Sequence, residues 1–290
     1  MSSPPGPDRA DLLIRIVRTA YEDPAVVARY ATVGLWPAEE ALVVDFVPDG
    51  ARVLDLGCGA GRTSVALAEI GLQVVGVDLS EAMVRTARQQ AQLAGVEVDF
   101  RTMNALDLAL PPESFDVALF SYNGIELLPG RGGKRRAFEE VYRILRPGGH
   151  FIFCAHSLFA LNAFAPMRLK AFAKLCLGRL LGLPVREREL GERFIDEPWE
   201  EAKYLQILPP SALKGMLREA GFDLVYFNTR GRIEAGRPWT WTGAWEDGER
   251  FYVAQKPGAA PEVGDPSHSE VADPATRADT DKQGGKDQRT

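Results

Sequence analysis

Apolar and polar positions along this chain follow two periods that alternate with each other. The runs Ala51–Leu56, Gln73–Asp78 and Phe115–Phe120 are apolar on both faces, as buried parallel strands are. Between them, Val65, Leu67, Ala68 and Ile70 fall near helical spacing in a segment that begins at Arg62 and stops at Gly71. Ser80 caps a predicted helix running to Ala94, with Gly95 ending it, and Val96–Arg101 alternates as a third strand. A helical segment over 132–145 leads through Pro147-Gly148-Gly149 into a strand from His150 to Ala155. A helix over Ser211–Ala220 ends at Gly221, and the strands Phe222–Phe227 and Phe251–Gln255 close the pattern. Ahead of the first strand, helices are predicted from Asp11 to Tyr21, from Asp23-Pro24 to about Gly34, and from Pro37 to Val47. Strand and helix in alternation predict an α/β fold built on a doubly wound sheet of about seven strands.

A long insertion, residues 157–208, separates the fifth strand from the helix that starts at Ser211. On a helical wheel Ala165, Leu169, Phe172, Cys176, Leu180 and Leu183 form one stripe, flanked by Arg168, Lys170, Lys174 and Arg179. The expected role is a lid or packing helix with that stripe turned toward an acceptor pocket. The other reading is an interfacial helix, with 165–183 in peripheral contact with a membrane. Residues 187–201 are charged and expected at the surface. Trp239 and Trp241 would share a face in a hairpin, with Trp245 nearby, either walling a pocket or packing on the edge strand. The tail from 257 to 290 has no aromatic residue, and its only large aliphatics are Val263 and Val271. It is predicted disordered, as are residues 1–10, leaving 11–256 as one folded domain.

Composition narrows the classes. A 290-residue chain with 46% hydrophobic content can bury one substantial core, and its net charge of −6 argues against a general polyanion-binding surface. Cys58, Cys154 and Cys176 have neither paired nor metal-ligand spacing, so no metal site is expected, and all three are expected to be buried free thiols in a reducing compartment. No basic-then-apolar start and no clean membrane-spanning run are visible, so a cytoplasmic location is expected.

Candidate chemistry sits in Gly57-Cys58-Gly59-Ala60-Gly61, between the first strand and the helix after it. Lacking Cβ atoms, such a loop turns sharply and lets a ligand lie against backbone N–H groups. Asp78 ends the next strand about 20 residues beyond the first glycine, where a carboxylate can accept both hydroxyls of a ribose. A dinucleotide fingerprint would place its third glycine at position 62, which is Arg62; here that glycine comes one residue early.

The stretch Val53–Gly61 instead resembles motif I of the class I S-adenosylmethionine-dependent methyltransferases, and Arg143–Gly149 is similar to the segment before that family's fifth strand. The resemblance covers roughly residues 50 to 156. It implies a Rossmann-like sheet whose last strand runs antiparallel at the sheet edge, with N-terminal helices as a lid over the cofactor. It also implies S-adenosylmethionine as cofactor and methyl transfer to a small molecule. Carried over by position, Asp55 steadies the loop and approaches the methionyl amino group, while Gly57, Cys58, Gly59 and Gly61 line the methionyl and ribose portion. Arg62 pairs with the carboxylate, Asp78 with Leu79 holds the ribose, Asn104 with Ala105 meets the adenine edge, and Ser121 offers backbone. Tyr21, Tyr30 and Trp36 are candidates to touch ligand. His156, at the end of strand five, is the leading candidate for a base, and Tyr122, Asn123 and Glu126 for orienting the acceptor.

Where nucleic-acid amino methylases often carry an Asp/Asn-Pro-Pro-aromatic element, this chain reads Ser121-Tyr122-Asn123-Gly124, which argues against a nucleic-acid acceptor. Two other classes use the same features. One is a nicotinamide oxidoreductase on the same strand-loop-acid geometry, and the other is a non-catalytic S-adenosylmethionine-binding regulatory module. Oligomeric state is not legible in the sequence.

Overall fold

The computed structural model describes residues 8–195 and 203–258. The predicted disordered tail lies, from residue 259 on, outside the described residues, as do residues 1–7 of the N-terminal segment; Arg9 and Ala10, expected to be disordered, instead begin the first helix. Three helices, α1 (Arg9–Tyr21), α2 (Pro24–Tyr30) and α3 (Pro37–Phe46), precede β1 (Arg52–Leu56). Then come α4 (Arg62–Glu69), β2 (Gln73–Asp78), α5 (Glu81–Ala94), β3 (Asp99–Thr102), β4 (Phe115–Phe120), α6 (Gly130–Ile144) and β5 (Leu145–Ala155). The insertion holds α7 (Ala165–Leu181), β6 (Glu192–Phe194) and β7 (Tyr204–Gln206); α8 (Pro210–Glu219), β8 (Asp223–Thr229), α9 (Arg230–Glu234) and β9 (Arg250–Gln255) complete the chain.

Seven strands form one sheet in the order β3-β2-β1-β4-β5-β9-β8. The first five are parallel, and β9 runs antiparallel to both of its neighbours, β5 and β8. The antiparallel last strand is as expected, but its position is not. It lies inside the sheet, and β8 holds the edge. Phe251, Tyr252 and Val253 of β9 are buried, as an inner strand requires. Alternation splits the core between the two faces. Leu54 and Leu56 pack toward α6 and α8, with Phe138, Phe151 and Leu217; Val53 packs the other way, with Leu42 of α3 and Leu67 of α4.

Other boundaries moved for local reasons. The third strand begins at Asp99, not Val96, because Gly95 (φ +70°) and Val96 finish α5, the Val96 N–H bonding Ala91 O. Strand five starts at Leu145: Phe115 pairs Leu145 and Val117 pairs His150, so Pro147-Gly148-Gly149 forms a bulge rather than a turn ahead of the strand. The tryptophan stretch is not a hairpin. Trp239 packs on Phe227 of the edge strand at 4.6 Å, and Trp241 opens a single helical turn. Cys58 and Cys154 are buried, whereas Cys176 is exposed.

The insertion departs furthest from expectation. Glu187 and Glu192 are 6% and 2% exposed, so part of the charged segment 187–201 folds inward. The reason is a set of polar partners far off in sequence. Tyr204 donates its hydroxyl to Glu192 at 3.1 Å and accepts the Gly130 N–H at 2.9 Å. Gln206 donates to Glu189 and accepts from the buried Lys134 ammonium at 3.1 Å. Burial pushes Lys134 down to about 7 despite the nearby carboxylates of Glu126, Glu189 and Glu192. Residues 196–201 of the same segment lie outside the described residues.

Candidate functional site

The strand order reverses between β1 and β4, and the carboxyl ends of β1, β2 and β4 converge there on a cavity. Of the sequence-derived cofactor set, Gly57, Gly59, Asp78, Leu79, Asn104, Ala105 and Ser121 line it, together with Tyr122. Helices α1 and α2 close it with Ile14, Val17, Tyr21 and Tyr30, in the lid position expected of the N-terminal helices. Asp55, Cys58, Gly61 and Arg62 stand outside the lining and act from behind it.

The loop conformation needs its glycines. Gly57, Gly59 and Gly61 have φ of +62°, +53° and +92°. A Cβ on Gly57 would sit 2.7 Å from the Phe120 ring, and one on Gly124 would sit 2.2 Å from it, so Phe120 is clamped between two glycines beneath the cavity. A Cβ on Gly59 would meet only Tyr30, at 3.8 Å, leaving the backbone bare toward the cavity.

Asp78 holds this loop and faces the same space. Its two oxygens accept the Gly59 N–H at 2.9 Å and the Ser80 N–H at 2.8 Å. Burial raises its pKa, and those backbone hydrogen bonds oppose the rise. Asp55 lies one layer deeper. One oxygen accepts the Ser64 hydroxyl at 2.6 Å; the other, Oδ1, is buried with no protein partner. Burial raises Asp55 to about 7, against the lowering effects of Ser64 and Arg62. Asn104 accepts the Leu106 N–H at 3.0 Å, which shapes the loop that lines the adenine end implied by the resemblance.

Arg62 is spoken for inside the protein. Its guanidinium reaches both Glu39 oxygens, one at 2.7 Å, bonds Gly34 O, and lies 5.0 Å from the Tyr122 ring. Trp36 packs on Tyr122 at 4.9 Å rather than lining the cavity. Tyr122 and Asn123 themselves have φ of +53° and +61°, left-handed geometry at the exit of β4 that non-glycine residues adopt at a cost of about 1–3 kcal/mol each.

A second cavity, about 370 Å³, lies beneath α7 and is lined by Leu158, Leu169, Phe172, Leu175, Ile207 and Trp245 among others. His156 lines neither cavity. Its Nδ1 lies 3.0 Å from Glu126, whose carboxylate also accepts the His156 N–H at 2.5 Å, and Nε2 is 3.7 Å from Glu249. Burial is the largest influence and acts downward, but the charge and hydrogen bond of Glu126, with Glu249 and Asp247, hold the imidazole above its ordinary value. Glu126 precedes Leu127, which lines the first cavity, and His156 stands two residues before Leu158, which lines the second. Glu126→Gln removes the dominant upward influence, so the His156 titration midpoint falls; histidine ring-proton NMR titration reads this, and an unmoved midpoint would refute the pairing.

The lid reading of α7 implied a pocket beneath it; of the tryptophan cluster Trp245 lines that cavity, while Trp239 packs on the edge strand. Sequence reasoning missed the Glu126–His156 pair, whose members are 30 residues apart and carry no spacing signal. It also missed Phe120 as the cavity floor, a role that depends on two glycines meeting one ring. No group of His, Cys, Asp or Glu among the described residues is arranged to hold a metal ion.

Residues 53–149 match a family described as a methyltransferase domain. The chain is 31% identical over 177 residues to a ubiquinone biosynthesis O-methyltransferase of Xanthomonas euvesicatoria, covering 60% of this chain and 64% of that protein. It is 32% identical over 152 residues to a demethylmenaquinone methyltransferase of Clavibacter sepedonicus, covering 52% and 59%. The chain thus spans less than two thirds of the length of these curated relatives. A crystal structure of a SAM-dependent methyltransferase from Methanosarcina mazei superposes with a TM-score of 0.58 at 23% identity, over 78% of this chain and all of that one.

Proposed function

We propose, from the premise that this chain carries a class I, Rossmann-like methyltransferase domain, that it transfers the methyl group of S-adenosylmethionine to a small apolar acceptor bearing a nucleophilic oxygen. The observation that carries the reading is Asp78. It ends β2 with both oxygens oriented by Gly59 and Ser80 and faces a cavity lined by the Gly57 and Gly59 backbone above the Phe120 ring. The residues fit the donor on two further counts. Gly59 leaves room where any side chain would intrude, and the orphaned Oδ1 of Asp55 is the anionic acceptor that an ammonium requires.

When bound, S-adenosylmethionine supplies an electrophilic methyl whose leaving group is a neutral thioether. The protein therefore has no leaving anion to stabilise, and its task is alignment. Asp78 holds the ribose hydroxyls, Asn104 the adenine edge, and Asp55 the methionyl ammonium. Tyr21 and Tyr30 exclude water from the donor end, and Tyr122, fixed by Arg62 and Trp36, forms the side of the cavity beyond Ser121. The Glu126–His156 pair, in which His156 lines neither cavity, would take a proton from an acceptor hydroxyl only through an intervening water.

The oxygen acceptor class is supported by the quinone O-methyltransferase among the relatives and by the apolar lining of both cavities. The test is S-adenosylhomocysteine formation across a panel of hydroxylated aromatic acceptors with and without short isoprenyl tails. Turnover with an apolar phenol or quinol is expected. Donor binding without turnover across the whole panel would contradict it and favour a regulatory module.

A further inference from the structure

Helix α7 covers the second cavity with Ala165, Phe172 and Leu175, but it also carries apolar side chains outward. Its buried residues are Leu175 and Gly178, while Leu169, Leu177 and Leu180 are 68%, 53% and 81% exposed. With Ala173 these fall at intervals of four, four and three residues, a single outward line along the helix. Leu181 at the carboxyl end and Leu183 beyond it are exposed too, as are Phe159, Leu161 and Phe164 before the amino end. Isolated exposed apolar residues are ordinary; a continuous apolar strip along a 17-residue helix is an interaction surface.

Charge selects its occupant. Between Ser157 and Val185 the chain has Arg168, Lys170, Lys174 and Arg179 and no acid, within a protein of net charge −6. Lys174 is tied to Glu187 at 2.9 Å and Arg179 bonds the Arg188 carbonyl, but both Lys170 and Arg179 are exposed, on opposite flanks of the outward line. A second copy of this chain docking through the same face would bring those cations against their counterparts. Among the described residues no helix is long and apolar enough to cross a membrane, so a face of this kind lies on a bilayer rather than through it. We propose that α7 docks on an anionic lipid surface, with Leu177 and Leu180 in the boundary between headgroups and acyl chains and Lys170 and Arg179 against lipid phosphates. Because the cavity beneath α7 is lined by Leu169 and Phe172 of this same helix, docking places an apolar chamber next to the bilayer. The proposal does not depend on methyl transfer.

Cys176 provides a built-in reporter, since it is exposed on this helix while Cys58 and Cys154 are 4% and 0% exposed. The full chain, labelled there with an environment-sensitive thiol fluorophore, is mixed with vesicles of phosphatidylcholine with or without phosphatidylglycerol; unlabelled protein is co-sedimented with the same vesicles. Binding and a blue shift are expected with phosphatidylglycerol, weakened by added salt. The double variant Leu177→Glu/Leu180→Glu should bind about tenfold or more weakly with an unchanged melting temperature, because both side chains are exposed. Wild-type protein that ignores anionic vesicles, or a variant that binds them equally, overturns the proposal. So does a homodimer in light scattering that the variant dissolves while neither form binds lipid.

Discussion

Asp78→Ala lowers affinity for S-adenosylmethionine by roughly 10- to 100-fold, or about 1–3 kcal/mol, the value of charged hydrogen bonds lost from a buried site. Two effects add. The ribose hydroxyls lose their acceptor, and the Gly59 and Ser80 N–H groups, bonded to Asp78 at 2.9 and 2.8 Å, lose theirs, so the cradle itself loosens. Asp78→Asn separates the two, because one amide oxygen can still take a backbone N–H while the charge is gone. Calorimetric titration of each variant, with circular dichroism to establish folding, reads the result. A folded Asp78→Ala protein with unchanged affinity would refute the ribose assignment.

Asp55→Asn is expected to move stability and binding in opposite directions. In the folded protein the Asp55 carboxyl is raised from 3.8 to about 7 by burial. The native state therefore keeps a proton that the unfolded chain gives up. Between those values the native state binds more protons, and its stability falls as pH rises; above about 7 the full penalty of a buried charge is present. At 1.36 kcal/mol per pKa unit this amounts to as much as about 4 kcal/mol. An asparagine carries no such penalty and can still accept the Ser64 hydroxyl. The variant's advantage in urea unfolding should thus be near zero at pH 4 and reach about 2–4 kcal/mol at pH 8. Its cofactor affinity should drop, since the anionic partner of the ammonium is lost. In the unaltered protein, donor affinity should weaken as pH falls below about 7, because binding must first displace the proton from Asp55. Unfolding free energies that run parallel with pH would contradict this account.

Both predictions concern residues that were visible in the sequence, and for a physical reason. A parallel strand buried on two faces reads as a continuous apolar run, so β1, β2 and β4 and the loop and acid that come after them announce themselves locally. The sheet of about seven strands was legible on the same grounds, whereas its antiparallel last strand came only from the family resemblance. What escaped was long-range. Arg62 finds Glu39 on α3, His156 finds Glu126, and Glu192 turns inward to Tyr204 and the network around Lys134 and Gln206. None of these pairings has a periodicity, because each joins elements distant in sequence that only the tertiary fold brings together. The α7 stripe was legible as a stripe, but periodicity states that a helix has two faces, not which of them is covered. Here Leu175 and Gly178 are inside and Leu180 is outside.

The most direct measurement of the central claim is calorimetric titration of the full chain with S-adenosylmethionine, S-adenosylhomocysteine and NADH under one buffer condition. The glycine loop, Asp78 and Asp55 together predict saturable binding of both sulfur nucleosides and none of NADH. Affinity for NADH alone, or for none of the three in a folded sample, would contradict it.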